Sequence, residues 1–170
     1  MVEMDSNFYL LWHDPFADEL MLADKNGGWA QTNVLGAGVP GIGEFSDLIR
    51  FDGEWWTPAY DSTAGERQIR FLNGTTAPWT ATLHRDTGHV GEFASMAALD
   101  TMLFCVYYRR DAAAWEFALY DGETWETNWF ILPDITFSRA VAGGLGDTPF
   151  VLFDDIGSGE VKAVTGTPPA

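Results

Sequence analysis

Apolar residues in this chain come in short runs, each broken by a turn signal before a helix could form. Asn7 to Asp14, Leu20-Met21-Leu22-Ala23, Ile69-Arg70-Phe71-Leu72, Met102 to Tyr108 and Trp115-Glu116-Phe117-Ala118 are strand-length segments. Between such runs lie Asn26-Gly27-Gly28, Asp52-Gly53, Asn73-Gly74, Asp121-Gly122 and Gly143-Gly144, which read as turns. Helical periodicity is absent, and Ala112-Ala113-Ala114 is too short to nucleate a helix. The pattern predicts an all-β protein.

The runs also repeat. Gly43-Glu44-Phe45-Ser46 returns as Gly91-Glu92-Phe93-Ala94 and, more weakly, as Ile135-Thr136-Phe137-Ser138. A second column ends an apolar run at His13-Asp14, Tyr60-Asp61, Tyr108-Arg109 and Phe153-Asp154. A third column holds the Leu20, Ile69, Trp115 and Val161 strands, and a fourth holds Trp29, Trp79 and Trp125. All four columns step by 44 to 50 residues, a period that signals stacked supersecondary units. Units at 7–35, 43–83, 91–131 and 135–165, with 166–170 as a tail, give three, four, four and three strands within a single domain. A four-stranded sheet repeated at this spacing predicts a β-propeller, because successive small sheets bury each other's faces. It is either four-bladed or a half-propeller that completes itself as a dimer. A β-sandwich is the alternative.

The blade pattern of an aromatic-Asp pair, then Leu-x-x-Ala, then Asp-Gly-x-x-Trp resembles bacterial and archaeal β-propeller repeat proteins, related to the sialidase-like propellers. Phe93 to Phe130 carries the resemblance best. The sialidase Asp-box is approximated by Asp24 to Trp29, with Leu22 where the leading Ser or Thr belongs. The resemblance implies architecture and leaves function open, since propellers host lectins, hydrolases and scaffolds alike.

Composition narrows the partners. With 25 acidic and 9 basic side chains the net charge is -16 over 170 residues, which argues against nucleic acid and against anionic membranes. No apolar stretch is long enough to span a bilayer. The start Val2-Glu3-Met4-Asp5 is no secretory leader, which leaves the compartment open between the cytoplasm and a secreted or cell-surface parent. The single cysteine, Cys105, reads as a small buried hydrophobe.

On a propeller, the loops between second and third strands would share one face with the linking loops. That face would gather His13, Asp14, Tyr60 and Asp61 with Tyr108, Arg109, Asp154 and an exposed Trp56. Glu44, Glu92, His84 and His89 would stand nearby, and Trp12 or Trp129 would be further exposed aromatics. Aromatic faces beside carboxylates suit a glycan or protein ligand, and the oxygen donors would suit Ca²⁺. The alternative is that each Asp closes its own turn. The expectation is therefore a non-catalytic, lectin-like binding or assembly module. The alternatives are a sialidase-like glycoside hydrolase and a purely structural, self-assembling fragment.

Overall fold

The structure is a computed structural model that describes residues 1–4, 6–36, 42–63, 67–85, 89–127 and 137–166. The described strands form four separate antiparallel sheets, each from one contiguous stretch of chain. The first holds β1 (Val2–Met4), β2 (Asn7–Asp14), β3 (Glu19–Asp24) and β4 (Ala30–Asn33). In the second, β5 (Ile42–Glu44) and β6 (Ile49–Phe51) both pair with β7 (Glu54–Asp61), which is followed by β8 (Gln68–Gly74) and β9 (Thr80–Arg85). The third is β10 (Val90–Ala98), β11 (Leu103–Arg109), β12 (Ala114–Tyr120) and β13 (Trp125–Thr127). The last is β14 (Phe137–Leu145), β15 (Thr148–Asp155) and β16 (Glu160–Thr165).

The strands form where β-branched and aromatic residues cluster, and they turn where backbone freedom allows. Asp52 and Gly53 both have positive φ, 46° and 76°, as a two-residue hairpin turn requires. Gly143 and Gly144, by contrast, are not a turn. They lie inside β14, where a Cβ on Gly144 would strike Leu99, in the loop that follows β10. The turn falls at Gly146, with φ of 58°.

Three apolar cores join the sheets in chain order. Leu20, Val34, Trp55, Ala59 and Leu72 lie between the first and second sheets. Trp56, Ile69, Phe71, Tyr107 and Cys105 lie between the second and third, with Phe71 stacked on Trp125 at 3.7 Å between ring centroids. Phe104, Val106, Phe117, Val151 and Phe153 lie between the third and fourth. Among the described residues no core joins the fourth sheet to the first.

The propeller expectation is thereby overturned, in both its four-bladed and half-propeller forms, and with it the resemblance to propeller repeat proteins. Blades repeat radially about a shared axis, whereas among the described residues these are four separate sheets in an open row. A repeat of about 46 residues encodes a stack. Whether a stack curves into a ring depends on the angle between sheets, which the repeat does not encode. The β-sandwich fails too, since four sheets are present rather than two.

Polar links reinforce the stack. Asp47 Oδ2 accepts from Ser95 Oγ at 3.1 Å and from Met96 N at 3.2 Å. Ser95 Oγ in turn accepts from Ala142 N at 3.2 Å, so one chain of hydrogen bonds crosses from the second sheet through the third to the fourth.

Phe71 is fully buried between two sheets. Phe71→Ala is expected to destabilise the protein by about 3–5 kcal/mol. Phe16→Ala, at a side chain 99% exposed, should change stability by less than about 0.5 kcal/mol. Urea unfolding followed by tryptophan fluorescence measures both.

Candidate functional site

The hairpin ends are built one at a time. Asp14, Asp61, Arg109 and Asp155 each close the hairpin between the second and third long strands of their sheet, paired with Glu19, Gln68, Ala114 and Glu160. The position in the last sheet is thus Asp155, one residue beyond the expected Asp154. Asp154 pairs with Val161 and is exposed on the sheet's outer side. The slip has a physical reason: Phe150, Val151, Leu152 and Phe153 are apolar on both faces of β15, so alternation cannot set the parity.

These side chains mostly serve their own turns. Asp14 Oδ1 accepts from Phe16 N at 2.9 Å, and Asp155 Oδ1 accepts from Gly157 N at 3.0 Å. Asp155 also pairs with Lys162, which holds its carboxyl down at about 2. His13 contacts Asp18 at 3.0 Å. Arg109 bonds Asp111 at 2.8 Å and Glu116 at 3.2 Å, and these partners raise its pKa further. Arg110 reaches the buried Glu92 at 3.0 Å. Tyr60 is buried beside Glu44, its cross-strand neighbour. Burial pushes its phenol pKa up, with Glu92 adding to the effect. Tyr108 packs on Trp115 at 5.4 Å.

The expected aromatic platform is not there. Trp56 is 7% exposed and Trp55 4% exposed, so neither offers a face to a sugar. Trp79 and Trp125 pack into cores, but Trp29 sits in the turn before β4 at 44% exposure and breaks that column. Trp129 and the side chain of His84 lie outside the described residues, and His89 contacts Arg67. Among the described residues no group of three His, Cys, Asp or Glu could hold a metal ion. The lectin-like, carbohydrate-binding reading therefore loses its geometry along with its propeller. Cys105 is fully buried and burial pushes its thiol pKa well up, as suits a packing residue. No described helix is long and apolar enough to cross a membrane.

What composition alone did not single out are the two end faces. In the third sheet, Phe104, Val106 and Trp115 face the fourth sheet and are buried. By the hairpin alignment their equivalents in the fourth sheet are Phe150, Leu152 and Val161, and they look outward. Leu152 is 39% exposed, Val161 69%, and Val141 beside them 49%. At the other end, Leu10 and Trp12 occupy the positions of Cys105 and Tyr107, which face the preceding sheet. Leu10 is 38% exposed and Trp12 is half-buried. The signal was present in β15, whose apolar run reads as a strand covered on both faces.

The chain matches no known family model and no curated protein.

Asp61 offers a pH test. Its side chain is 2% exposed and is bonded by Arg70 Nε at 2.7 Å and Thr63 N at 3.0 Å. Burial alone would raise its pKa, but the bonds from Thr63 and Arg70 outweigh it and leave the carboxyl below its usual range. Because the folded pKa is depressed, Asp61 stabilises the fold above the unfolded value of about 4 and loses that contribution as pH falls through the folded value. Asp61→Asn should therefore be less stable than wild type at pH 7, with the gap closing below about pH 4. Urea midpoints measured across pH test this.

Proposed function

We propose that this chain is a structural, self-assembling module, in which the outer face of the last sheet receives the outer face of the first sheet of a second copy. The observation that carries this reading is the alignment of the end faces with the interior ones. Leu152, Phe150 and Val161 stand where Val106, Phe104 and Trp115 stand one sheet earlier. Leu10 and Trp12 stand where Cys105 and Tyr107 receive the sheet before them. Each internal junction is a pairing of these two kinds of face. A second copy supplies the missing member at each end. Apolar patches of this sort on a soluble surface mark interaction sites. A contact between unlike faces is heterologous, so the assembly keeps one free face of each kind at its ends.

The hydrogen-bond partners of the hairpin-end Asp residues also support a structural role, because the carboxylates are engaged in their own turns rather than free for a ligand.

Light scattering over a dilution series tests the reading. The wild type should exceed 18.8 kDa at high concentration and dissociate on dilution. Leu152→Asp and Leu10→Glu should each abolish stable assembly, since each adds a charge to one of the two contacting faces. Mixed together, they should form a dimer, because one variant keeps an intact last sheet and the other an intact first sheet. With a charge of -16 on each copy, association should tighten as salt rises from about 0.05 M to 0.5 M, where screening shortens to a few ångströms. A wild type that stays monomeric throughout, or a mixture that stays monomeric, would overturn the second copy as occupant.

A further inference from the structure

The repeated Gly-Glu-Phe segment has a geometry that turn-making and core packing do not explain. Gly43 and Gly91 have φ of 130° and 107°, and Phe45 and Phe93 follow at 54° and 52°. The glycines are required: a Cβ on Gly91 would sit 2.8 Å from Ile69 Cβ, and one on Gly43 would sit 3.0 Å from Leu20 Cδ1. The register of β5 against β7, and of β10 against β11, is shifted at these segments, as in a β-bulge. The bulge turns each Phe out of the core. Phe45 is 40% exposed and Phe93 42%, with their rings 4.7 Å apart. A bulky residue in the left-handed region is strained, and strain of this kind collects at functional sites.

The two rings wall a groove of about 280 Å³ that continues to Arg139 of β14. Its polar floor is already satisfied, since Asp47 and Ser95 bond each other and the backbone of Met96 and Ala142. Arg139 is exposed and, among the described residues, has no ion-pair or hydrogen-bond partner. The groove thus pairs an apolar, aromatic wall with one cation that has no partner among the described residues.

We propose that this groove binds a small aromatic monocarboxylate, its ring against Phe45 and Phe93 and its carboxylate on the Arg139 guanidinium. The volume lies near the lower end for small-molecule sites. The net charge of -16 selects against polyanions, whereas a single carboxylate meets Arg139 in a bidentate, charge-assisted pair. Arg139 and Val141 also border the outer face of the fourth sheet, where assembly would cover them, so the Leu10→Glu variant, altered only on the first sheet, keeps the groove open.

The test is a titration with 3-phenylpropanoate, followed by protein NMR on the wild type and on the Leu10→Glu variant. Saturable binding with a dissociation constant on the order of millimolar is expected for a ligand of this size. The largest amide shifts should fall at Phe45, Phe93 and Arg139. The neutral 3-phenylpropanol should bind about tenfold more weakly, the value of one charged hydrogen-bonded contact. Arg139→Gln should erase that preference. Phe93→Asn, which suits a positive φ, should keep the urea midpoint at or above wild type while weakening acid and alcohol alike. The proposal is overturned if no saturable shift appears, if the acid, the alcohol and 3-phenylpropylamine bind equally, or if Arg139→Gln leaves the acid preference intact.

Discussion

A narrow antiparallel sheet with two apolar faces is stable only when something lies on each side of it. That requirement organises the molecule. The second and third sheets meet it within the chain, and their long strands, β7 and β11, are buried along most of their length. Their alternation of large and small residues is set by two different neighbours at once: Trp55 and Ala59 face the first sheet, while Trp56 packs toward the third. Such strands carry little polar patterning because neither face meets water.

Burial alone leaves sheets free to slide, and the polar chain through Asp47 and Ser95 removes that freedom. Asp47 reaches Ser95 Oγ and Met96 N, and Ser95 reaches Ala142 N. The acceptor is passed along one sheet at a time, at the interval of the repeat. In the register of β14 the next member is Val141, opposite Leu152 as Ser95 is opposite Val106. The polar link therefore stops where the chain's own neighbours stop. The same first strands carry Phe45, Phe93 and Arg139, so the edge that locks the stack also displays the groove.

The period, the strand class and several turns were legible because they rest on local chemistry. Asp52-Gly53 takes the two positive φ values that its composition demands. Gly43-Glu44-Phe45 and Gly91-Glu92-Phe93 adopt matching backbones, as their identity implies. What local chemistry does not carry is the arrangement between units. The period implies a ring, yet closure is a property of inter-sheet angles. The sequence pattern puts the hairpin end at Asp154, one residue off, because β15 lacks alternation. Trp29 shares its letter with Trp79 and Trp125 but not their burial. The hairpin-end residues look like a shared site in one dimension, while in space each is occupied by partners from its own sheet. The exposed Phe pair was hidden for the opposite reason, since a phenylalanine that opens a strand reads as core until the bulge turns it outward.

The open row of sheets also bears on how the molecule comes apart. Each sheet folds from contiguous chain and, among the described residues, shares an apolar core only with its neighbours in sequence, so stability is approximately a sum of sheet and junction terms along one dimension. The first and fourth sheets each rest on a single junction among the described residues, so an end sheet is the unit whose opening exposes less buried surface than that of a middle sheet and whose amides should exchange first. Where a second copy covers that sheet, the free energy of association enters as protection of the end unit. The fraying of the chain's weakest segment is then governed by protein concentration, so that abundance itself sets how much of this protein is open to proteolysis.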